Sequence, residues 1–272
     1  ARRDPPALLA PGDLVRFVTT ASRRIDLNAD LGEGAGHDPE ILSIVSSANV
    51  ACGGHAGDAE TMRTTVALAA SHRVAVGAHP GLPDRVGFGR RETPIEPRAV
   101  ADLVASQVRA LQRVAAAAGV ALTHVKPHGA LYNLAARDPA VGEALIDGVL
   151  AAGACRTLFV LAGSPLVGLA RAAGLVVVEE AFADRGYRAD GSLVPRGSPG
   201  DLVDDPGMAA RRAVRMAIEG TIEAVDGSLV AVDAHTICVH GDSPRSVEVA
   251  RGVADALRRA GVRIQPPGGS PR

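Results

Sequence analysis

Short apolar runs typical of buried strands alternate along this chain with longer stretches whose apolar residues recur at helical spacing. Several of the helical stretches open with Pro, which is suited to the first turn of a helix. Because alternating strands and helices are typical of a parallel sheet with helical crossovers, the pattern predicts an α/β fold. The predicted strands are Arg24–Leu27, Ser47–Ala51, Ala75–Ala78, Thr123–Lys126, Thr157–Ala162, Leu175–Glu179 and Thr236–Val239, and the predicted helices are Ala59–Ser71, Pro97–Ala118, Pro139–Ala152, Pro165–Ala173 and Pro206–Glu219.

Seven predicted strands in a chain of 272 residues are typical of a single barrel rather than of an open doubly wound sheet. We therefore expect a seven-stranded, TIM-like (β/α) barrel over residues 23–266, with a flexible tail over 267–272. The segment Tyr187–Val203 is rich in Gly and Pro near its end, so we expect an inserted loop or hairpin there, before the next helix.

Composition and charge exclude several classes of protein. The net charge of −1 gives no basic surface for nucleic acid or an anionic membrane, and no apolar run reaches the length of a membrane span or follows a signal-peptide pattern. Cys52, Cys155 and Cys238 lie far apart, which argues against a disulfide framework or a zinc knuckle and suits a reducing compartment. These features predict a cytoplasmic protein.

Ionisable residues follow six of the seven predicted strands. In a parallel barrel the carboxyl ends of all strands open on one face, where the active sites of this architecture lie. The sequence therefore predicts one polar mouth, to which the strand ends deliver Asp26, Asn28, Asp30, Glu33, His55, His79, Lys126, His128, Asp184, Arg185, His240 and Asp242.

Lys126 is the single lysine among 29 basic side chains. Arginine cannot replace lysine where a compact point charge with three rotatable donors is required. Since His124 and His128 flank Lys126 at a predicted strand end, we favour a chemical role over a surface lysine kept by chance.

Asp26, Asn28 and Asp30 alternate with apolar residues, so an extended chain presents them on one side. Neighbouring carboxylates push their pKa values apart, which suits one as a base and the other as its partner, or both as metal ligands. An Asx turn is the structural alternative. His55 and His79 are suited to hold a metal or to shuttle protons, but their spacing matches no short metal motif, so the metal stays undecided.

The glycine-rich segment Gly87–Arg91 has two arginines that are suited to clamp a carboxylate or phosphate, Arg90 and Arg91; a solvated surface loop is the alternative. The chain has no GxxxxGK[ST] sequence, which excludes a Walker-type nucleotide site, and Ser164 lacks the GxSxG elbow of a serine hydrolase.

Seven ordered segments resemble the LamB/YcsF family, also known as the A subunit of the ATP-dependent 5-oxoprolinase, and the resemblance covers residues 24–266. At Gly54 the chain departs from the family, which usually has an aromatic residue there, and the change suggests a wider pocket mouth. The segments are Asp26–Glu33, Ser47–Asp58, Gly77–Gly81, Gly87–Arg91, His124–Asn133, Phe182–Arg185 and Ile237–Asp242.

The resemblance implies a barrel of the glycoside hydrolase/deacetylase type. It also implies cleavage of 5-oxo-L-proline to L-glutamate coupled to ATP hydrolysis, together with subunits B and C. Because the chain lacks a nucleotide loop, we expect ATP to act as co-substrate through those partners, with a divalent metal such as Mg²⁺ possible alongside it. The barrel would then hydrolyse the phosphorylated lactam.

Within this hypothesis Asp26 or His55 activates the water, while His79 and Asp30 hold the water or its base. Lys126 binds the phosphoryl group or the developing oxyanion, and His128 donates a proton to the ring nitrogen. The expected substrate-binding residues are Asn28, Glu33, Arg90, Arg91, Asp184, Arg185, His240 and Asp242.

Two other functions stay open: metal-dependent hydrolysis or deacetylation of a carbohydrate amide, and a non-catalytic scaffold or regulatory role. Residues 1–22 form an N-terminal extension that resembles the C-terminal tail of the partner known as the C subunit. A fusion remnant, a piece of a fused polyprotein, a misplaced start and a disordered leader are the alternatives for that extension.

Overall fold

The computed structural model describes residues 23–241 and 244–268, so the predicted extension over 1–22 lies outside the described residues. The strands are β1 (Arg24–Leu31), β2 (Ser47–Ala51), β3 (Ala75–His79), β4 (Leu122–Val125), β5 (Thr157–Leu161), β6 (Val176–Phe182), β7 (Thr221–Glu223), β8 (Leu229–Ala231), β9 (Thr236–His240) and β10 (Arg263–Ile264). The helices are α1 (Asp38–Leu42), α2 (Ala59–Ser71), α3 (Pro97–Ala117), α4 (Gly129–Arg137), α5 (Pro139–Ala152), α6 (Pro165–Ala172), α7 (Pro206–Glu219) and α8 (Ser246–Arg259).

Seven parallel strands close into a barrel, which confirms the predicted fold. The strands β1 to β6 pair in sequence order, β6 pairs with β9, and β9 returns to pair with β1. The closing register sets Asp30 beside His240 and Asn28 beside Cys238. Because all seven strands run the same way, their carboxyl ends meet at one mouth. No helix of the described part is long and apolar enough to cross a membrane.

The first strand is longer than predicted. The prediction ended it at Leu27, whereas β1 continues to Leu31. Leu27 and Leu31 belong to the apolar core, whereas Asn28 and Asp30 on the other face bond to polar partners inside the barrel. Because polar residues such as Asn28 and Asp30 are typical of loops, the prediction ended the strand before them.

Helix starts agree closely with the sequence pattern. The predicted bounds of α2, α5 and α7 are those of the structure, and side chains of Asp58, Asp138 and Asp205 accept hydrogen bonds from backbone N–H groups at their first turns. The pattern missed α1, α4, α8 and the antiparallel hairpin of β7 and β8.

The predicted insertion before α7 is a hairpin, as expected. An antiparallel bridge joins Tyr187 to Leu193, and a second joins Arg185 to Leu202. The guanidinium of Arg185 donates to the carbonyl oxygens of Val194, at 2.6 Å, and Asp201, at 3.0 Å. These bonds hold the hairpin over the barrel mouth.

Candidate active site

A cavity of about 270 Å³ opens at the carboxyl ends of the barrel strands. The structure brings seven of the predicted site residues together in its wall: Asp30, His79, Arg90, Lys126, His128, Arg185 and His240.

Lys126 lies at the base of this cavity with 2% of its side chain exposed. Its Nζ donates to Asp30 Oδ1 at 2.8 Å and lies 3.0 Å from Glu180 Oε1. It also donates to Asn28 Oδ1 at 3.2 Å and to Cys238 Sγ at 3.0 Å. Burial alone would lower the pKa of Lys126, but Asp30, Cys238 and Glu180 raise it well above its ordinary value. The ammonium therefore stays charged.

A network of buried amides holds the Lys126 acceptors in place. Asn28 Nδ2 donates to Glu180 Oε1 at 2.9 Å, and Asn49 Nδ2 donates to Asp30 Oδ1 at 2.9 Å. His124 Nε2 in turn donates to Asn49 Oδ1 at 2.8 Å. Although burial would raise the pKa of Asp30, His79 and Lys126 lower it well below its ordinary value. The cavity floor is thus a fixed ammonium–carboxylate arrangement.

The predicted pairing of Asp26 with Asp30 is wrong. Four residue steps along an extended strand separate their Cα atoms by about 13 Å, so the two carboxylates lie in different layers of the barrel. The Asp26 carboxylate accepts hydrogen bonds from the hydroxyls of Ser46, Ser47 and Thr236 at 2.6–2.7 Å. Burial raises the pKa of Asp26 to about 6. Because Asp26 does not line the cavity, its position does not suit a base for water there.

His79 and His128 are each fixed by a backbone carbonyl. His79 Nδ1 lies 2.8 Å from the carbonyl oxygen of Lys126, and His128 Nε2 lies 2.8 Å from that of Phe88. The remaining ring nitrogens, His79 Nε2 and His128 Nδ1, are 2.9 Å apart. Both nitrogens of His128 are therefore engaged, which does not suit the predicted role of proton donor to a substrate.

Glu33 and His55 lie behind these two histidines rather than in the cavity wall. Glu33 Oε1 is 2.8 Å from His55 Nε2, 3.3 Å from His128 Nδ1 and 3.7 Å from His79 Nε2. Burial, followed by the charge of His79, lowers the pKa of His55 to about 2. The donor atoms of this cluster lie close enough together to hold a metal, as do those of a second group formed by Asp30, Cys238 and His240.

Asp184 positions His240 instead of facing the cavity. Its Oδ2 accepts hydrogen bonds from the backbone N–H of His240, at 2.8 Å, and from His240 Nδ1, at 2.9 Å. Although burial would raise the pKa of Asp184, His240 lowers it to about 2. With Nδ1 directed to Asp184, the ring of His240 presents Nε2 as its remaining nitrogen, and the ring lines the cavity. A carboxylate that orients an imidazole in this way is the arrangement of a general base.

Arginines surround the mouth, but not all the predicted ones. Arg90 lies over the Phe88 ring, 4.8 Å from its centroid, and lines the cavity with Arg185 and Arg196. Arg91, by contrast, is bound to Asp84, and its side chain is 61% exposed. The prediction that Arg91 binds substrate in the cavity does not fit, because consecutive residues of this turn point in different directions.

Sequence reasoning assigned no role to two other charged residues of the site, Arg196 in the cavity wall and Glu180 behind Lys126. Arg196 comes from the inserted hairpin, where no strand end marked it. Glu180 follows a predicted strand end, and the signal that could have found it is the unusual pair of acids at the end of an apolar run. Asp242, predicted to bind substrate, lies outside the described residues.

Gly54 does not widen the cavity. A Cβ added there would meet the Gly81 carbonyl oxygen at 2.5 Å and Gln107 Oε1 at 2.6 Å. The Gln107 side chain accepts from the Gly81 N–H at 3.1 Å and donates to its carbonyl at 2.8 Å. Gln107 thus fills the space beside Gly54 and supports the loop that follows His79.

The closed parallel barrel and its buried lysine, carboxylates and histidines define a (β/α)-barrel protein with an enzyme-like site at the strand ends. A LamB/YcsF family model matches residues 25–271, and the chain belongs to that family.

Named relatives agree over nearly their whole length. The chain is 49% identical over 246 residues to the A subunit of 5-oxoprolinase from Bordetella pertussis. The matched region covers 89% of this chain and 98% of that protein. The chain is 51% identical over 247 residues to the A subunit of 5-oxoprolinase from Thermus thermophilus, covering 89% and 99%. The crystal structure of the lactam utilization protein from Thermus thermophilus has a TM-score of 0.83 and 50% identity, with 89% and 99% covered.

Proposed function

We propose that this chain is the A subunit of a 5-oxoprolinase and hydrolyses a phosphorylated form of 5-oxo-L-proline to L-glutamate. The relatives of that name support the assignment across 89% of the chain. The observation that carries the proposal is the cavity itself, in which buried Lys126 faces an opening lined by Arg90, Arg185 and Arg196. Four cationic side chains around a small cavity suit a compact substrate with carboxylate and phosphate groups.

The chemistry explains why ATP and partner subunits are needed. A five-membered lactam is a stable amide, so its carbonyl oxygen is first phosphorylated, with ADP leaving. We assign that step to subunits B and C, because this chain has no Walker loop. Water then adds to the activated ring carbon, the ring C–N bond breaks, and hydrolysis of the resulting acyl phosphate releases glutamate and phosphate.

We assign the hydrolytic step to two side chains of the cavity, His240 and Lys126. His240, oriented by Asp184, takes the proton of the attacking water and returns it to the ring nitrogen as the C–N bond breaks. Lys126 stabilises the negative charge that develops on oxygen and on the phosphoryl group. His240 thus replaces Asp26 and His55 as the base, and it replaces His128 as the acid.

The test is glutamate release from 5-oxo-L-proline and ATP, measured with this chain alone and with its B and C subunits. Glutamate formed only by the full assembly, and lost with a His240→Asn chain that still assembles, supports the proposal. A non-catalytic scaffold predicts full activity for that variant. No glutamate from a folded, assembled wild-type complex would overturn the proposal and favour hydrolysis of another amide.

A further inference from the structure

The cluster of Glu33, His55, His79 and His128 has the geometry of a metal site. One donor atom from each residue lies within 4.8 Å of all the others. Among Glu33 Oε1, His79 Nε2 and His128 Nδ1 the separations are 2.9, 3.3 and 3.7 Å. Two ligands of a tetrahedral zinc ion, each about 2.0–2.2 Å from it, lie roughly 3.3 Å apart, so the observed spacing brackets the expected one.

The hydrogen bonds of the two rings to backbone carbonyls turn one nitrogen of each ring toward the other. A carbonyl oxygen only accepts, so His79 carries its proton on Nδ1 and His128 carries its proton on Nε2. The facing nitrogens, His79 Nε2 and His128 Nδ1, lie 2.9 Å apart, with Asp30 Oδ2 3.3 Å from the first and Glu33 Oε1 3.3 Å from the second. Two ring nitrogens and carboxylate oxygens therefore converge on one small space, as the ligands of a cation do.

The backbone around the cluster also fits metal ligation. Histidines that bind a metal usually donate their other N–H to a carbonyl or carboxylate, which fixes the ring, and both His79 and His128 do so. The carbonyl that holds His128 belongs to Phe88, whose φ is 54°. A non-glycine residue in this left-handed conformation is strained, and such strain concentrates at functional sites.

We propose that Glu33, His79 and His128 bind one divalent transition-metal ion such as Zn²⁺, and that His55 supports the site from outside. The His55 ring is stacked on His128, with centroids 3.6 Å apart and an interplanar angle of 4°. Parallel rings at that separation cannot both direct a lone pair at the same ion. His55 is placed instead to donate its Nε2 proton to Glu33, 2.8 Å away.

The donor set selects the kind of metal. Imidazole nitrogens prefer Zn²⁺, Co²⁺ or Ni²⁺, whereas Mg²⁺ prefers an all-oxygen site. The proposal that a metal binds here is argued from the donor geometry alone.

The use of that metal in turnover rests on the proposed function, because His79 and His128 also line the cavity that holds Lys126. A metal held by Glu33, His79 and His128 would supply a Lewis acid at the cavity wall.

The experiment uses the full chain, stripped with a chelator and titrated with Zn²⁺, Co²⁺ or Mg²⁺. We expect one equivalent of tightly bound Zn²⁺ by elemental analysis after desalting, and a visible Co²⁺ absorption spectrum of nitrogen-ligated type. Mg²⁺ should not compete. Zn²⁺ should also raise the unfolding temperature, because it binds only the folded state. Absence of stoichiometric Zn²⁺ and Co²⁺ binding would overturn the proposal, and the two histidines would then share a proton.

Variants locate the ion. Glu33→Gln and His79→Gln should abolish stoichiometric binding, and His55→Phe, which keeps a stacked ring but removes the donor to Glu33, should weaken it about 10–100-fold. The control is His235→Gln, in a separate cluster with Glu179 and Asp233 whose histidine is exposed. Loss of the metal in that variant, with retention in Glu33→Gln, would place the ion elsewhere. Bound Zn²⁺ in a complex that makes no glutamate would overturn only the proposed function, and glutamate from a metal-free complex would overturn only the catalytic use of the ion.

Discussion

Lys126 Nζ lies 2.8 Å from Asp30 Oδ1, and the two side chains are only 2% and 5% exposed. Taking both charges out of water costs free energy that their attraction only partly returns, so a buried pair is weak evidence for a stabilising role. The pair, with Glu180 beside it, instead fixes an ammonium group between two carboxylates at the base of a cavity that is lined by arginines. We interpret the ammonium as the floor group that meets developing negative charge, held in place by the two carboxylates.

Lys126→Arg should therefore cost activity even though the charge is kept. A planar guanidinium cannot place one donor atom among Asp30, Asn28 and Glu180, and the buried position leaves no room for the larger group. We expect kcat/KM for glutamate release by the assembled complex to fall by about 10²–10³. The matched control is Arg63→Lys, at an exposed pair with Glu60, which should not change the rate. Near-normal turnover of Lys126→Arg would contradict this interpretation.

His240→Asn tests the base. Because Asp184 holds the ring through Nδ1, the remaining nitrogen is the one available to water, and general acid–base catalysis contributes typically 10²–10⁴-fold. We expect kcat to fall within that range while KM changes little. Asp184→Asn should also lower kcat, since a neutral amide no longer supplies the negative charge that stabilises the protonated His240 ring during proton transfer. Full activity of Asp184→Asn would show that Asp184 does not contribute to turnover through His240.

The sequence predicted the barrel and the mouth because both depend on patterns that are local along the chain. Apolar runs, helix-opening prolines and ionisable residues after strands gave the architecture and the identity of Lys126 as the central charge. Local patterns do not predict where each side chain points. Asp26 was grouped with Asp30 because they alternate correctly, although distance along a strand separates them.

Contacts between distant segments account for the other differences. His240 was expected to bind substrate, and its partner Asp184 lies 56 residues away, so nothing local in the sequence pairs them. Arg90 and Arg91 looked equivalent in a glycine-rich turn, yet only Arg90 faces the cavity, because Arg91 is bound to Asp84. His79 and Lys126 were the easiest site residues to recognise, since His79 ends β3 and Lys126 directly follows β4.

Gly54→Ala should destabilise the fold. The added Cβ would lie 2.5 Å from a backbone oxygen and 2.6 Å from Gln107 Oε1, so the Gln107 bonds to Gly81 must shift. Overpacking of this kind costs about 1–3 kcal/mol in the free energy of unfolding, measured by urea denaturation. Gly168→Ala is the control, since a Cβ there meets nothing within 4 Å and alanine favours the α6 helix. Equal effects of the two substitutions would contradict the packing argument.

Asp26→Asn should reveal a buried carboxylate through the pH dependence of stability. The pKa of Asp26 is raised to about 6 in the folded chain, against about 3.9 in an unfolded one. The folded state therefore holds the proton more tightly, and the resulting stability is fully present below the unfolded pKa and is lost as the pH rises through the folded one. Above that pH the loss amounts to about 3 kcal/mol at this buried position.

The asparagine does not titrate, so the free energy of unfolding of the wild type, relative to Asp26→Asn, should fall by about that amount between roughly pH 4 and pH 7. Urea denaturation of both chains at several pH values measures the difference, and a constant difference would show that Asp26 is not protonated on folding.

The same variant tests whether Asp26 has a catalytic role. Because three hydroxyls occupy the carboxylate away from the cavity, folded Asp26→Asn should keep turnover within about tenfold, and a loss comparable to that of His240→Asn would restore Asp26 as the base.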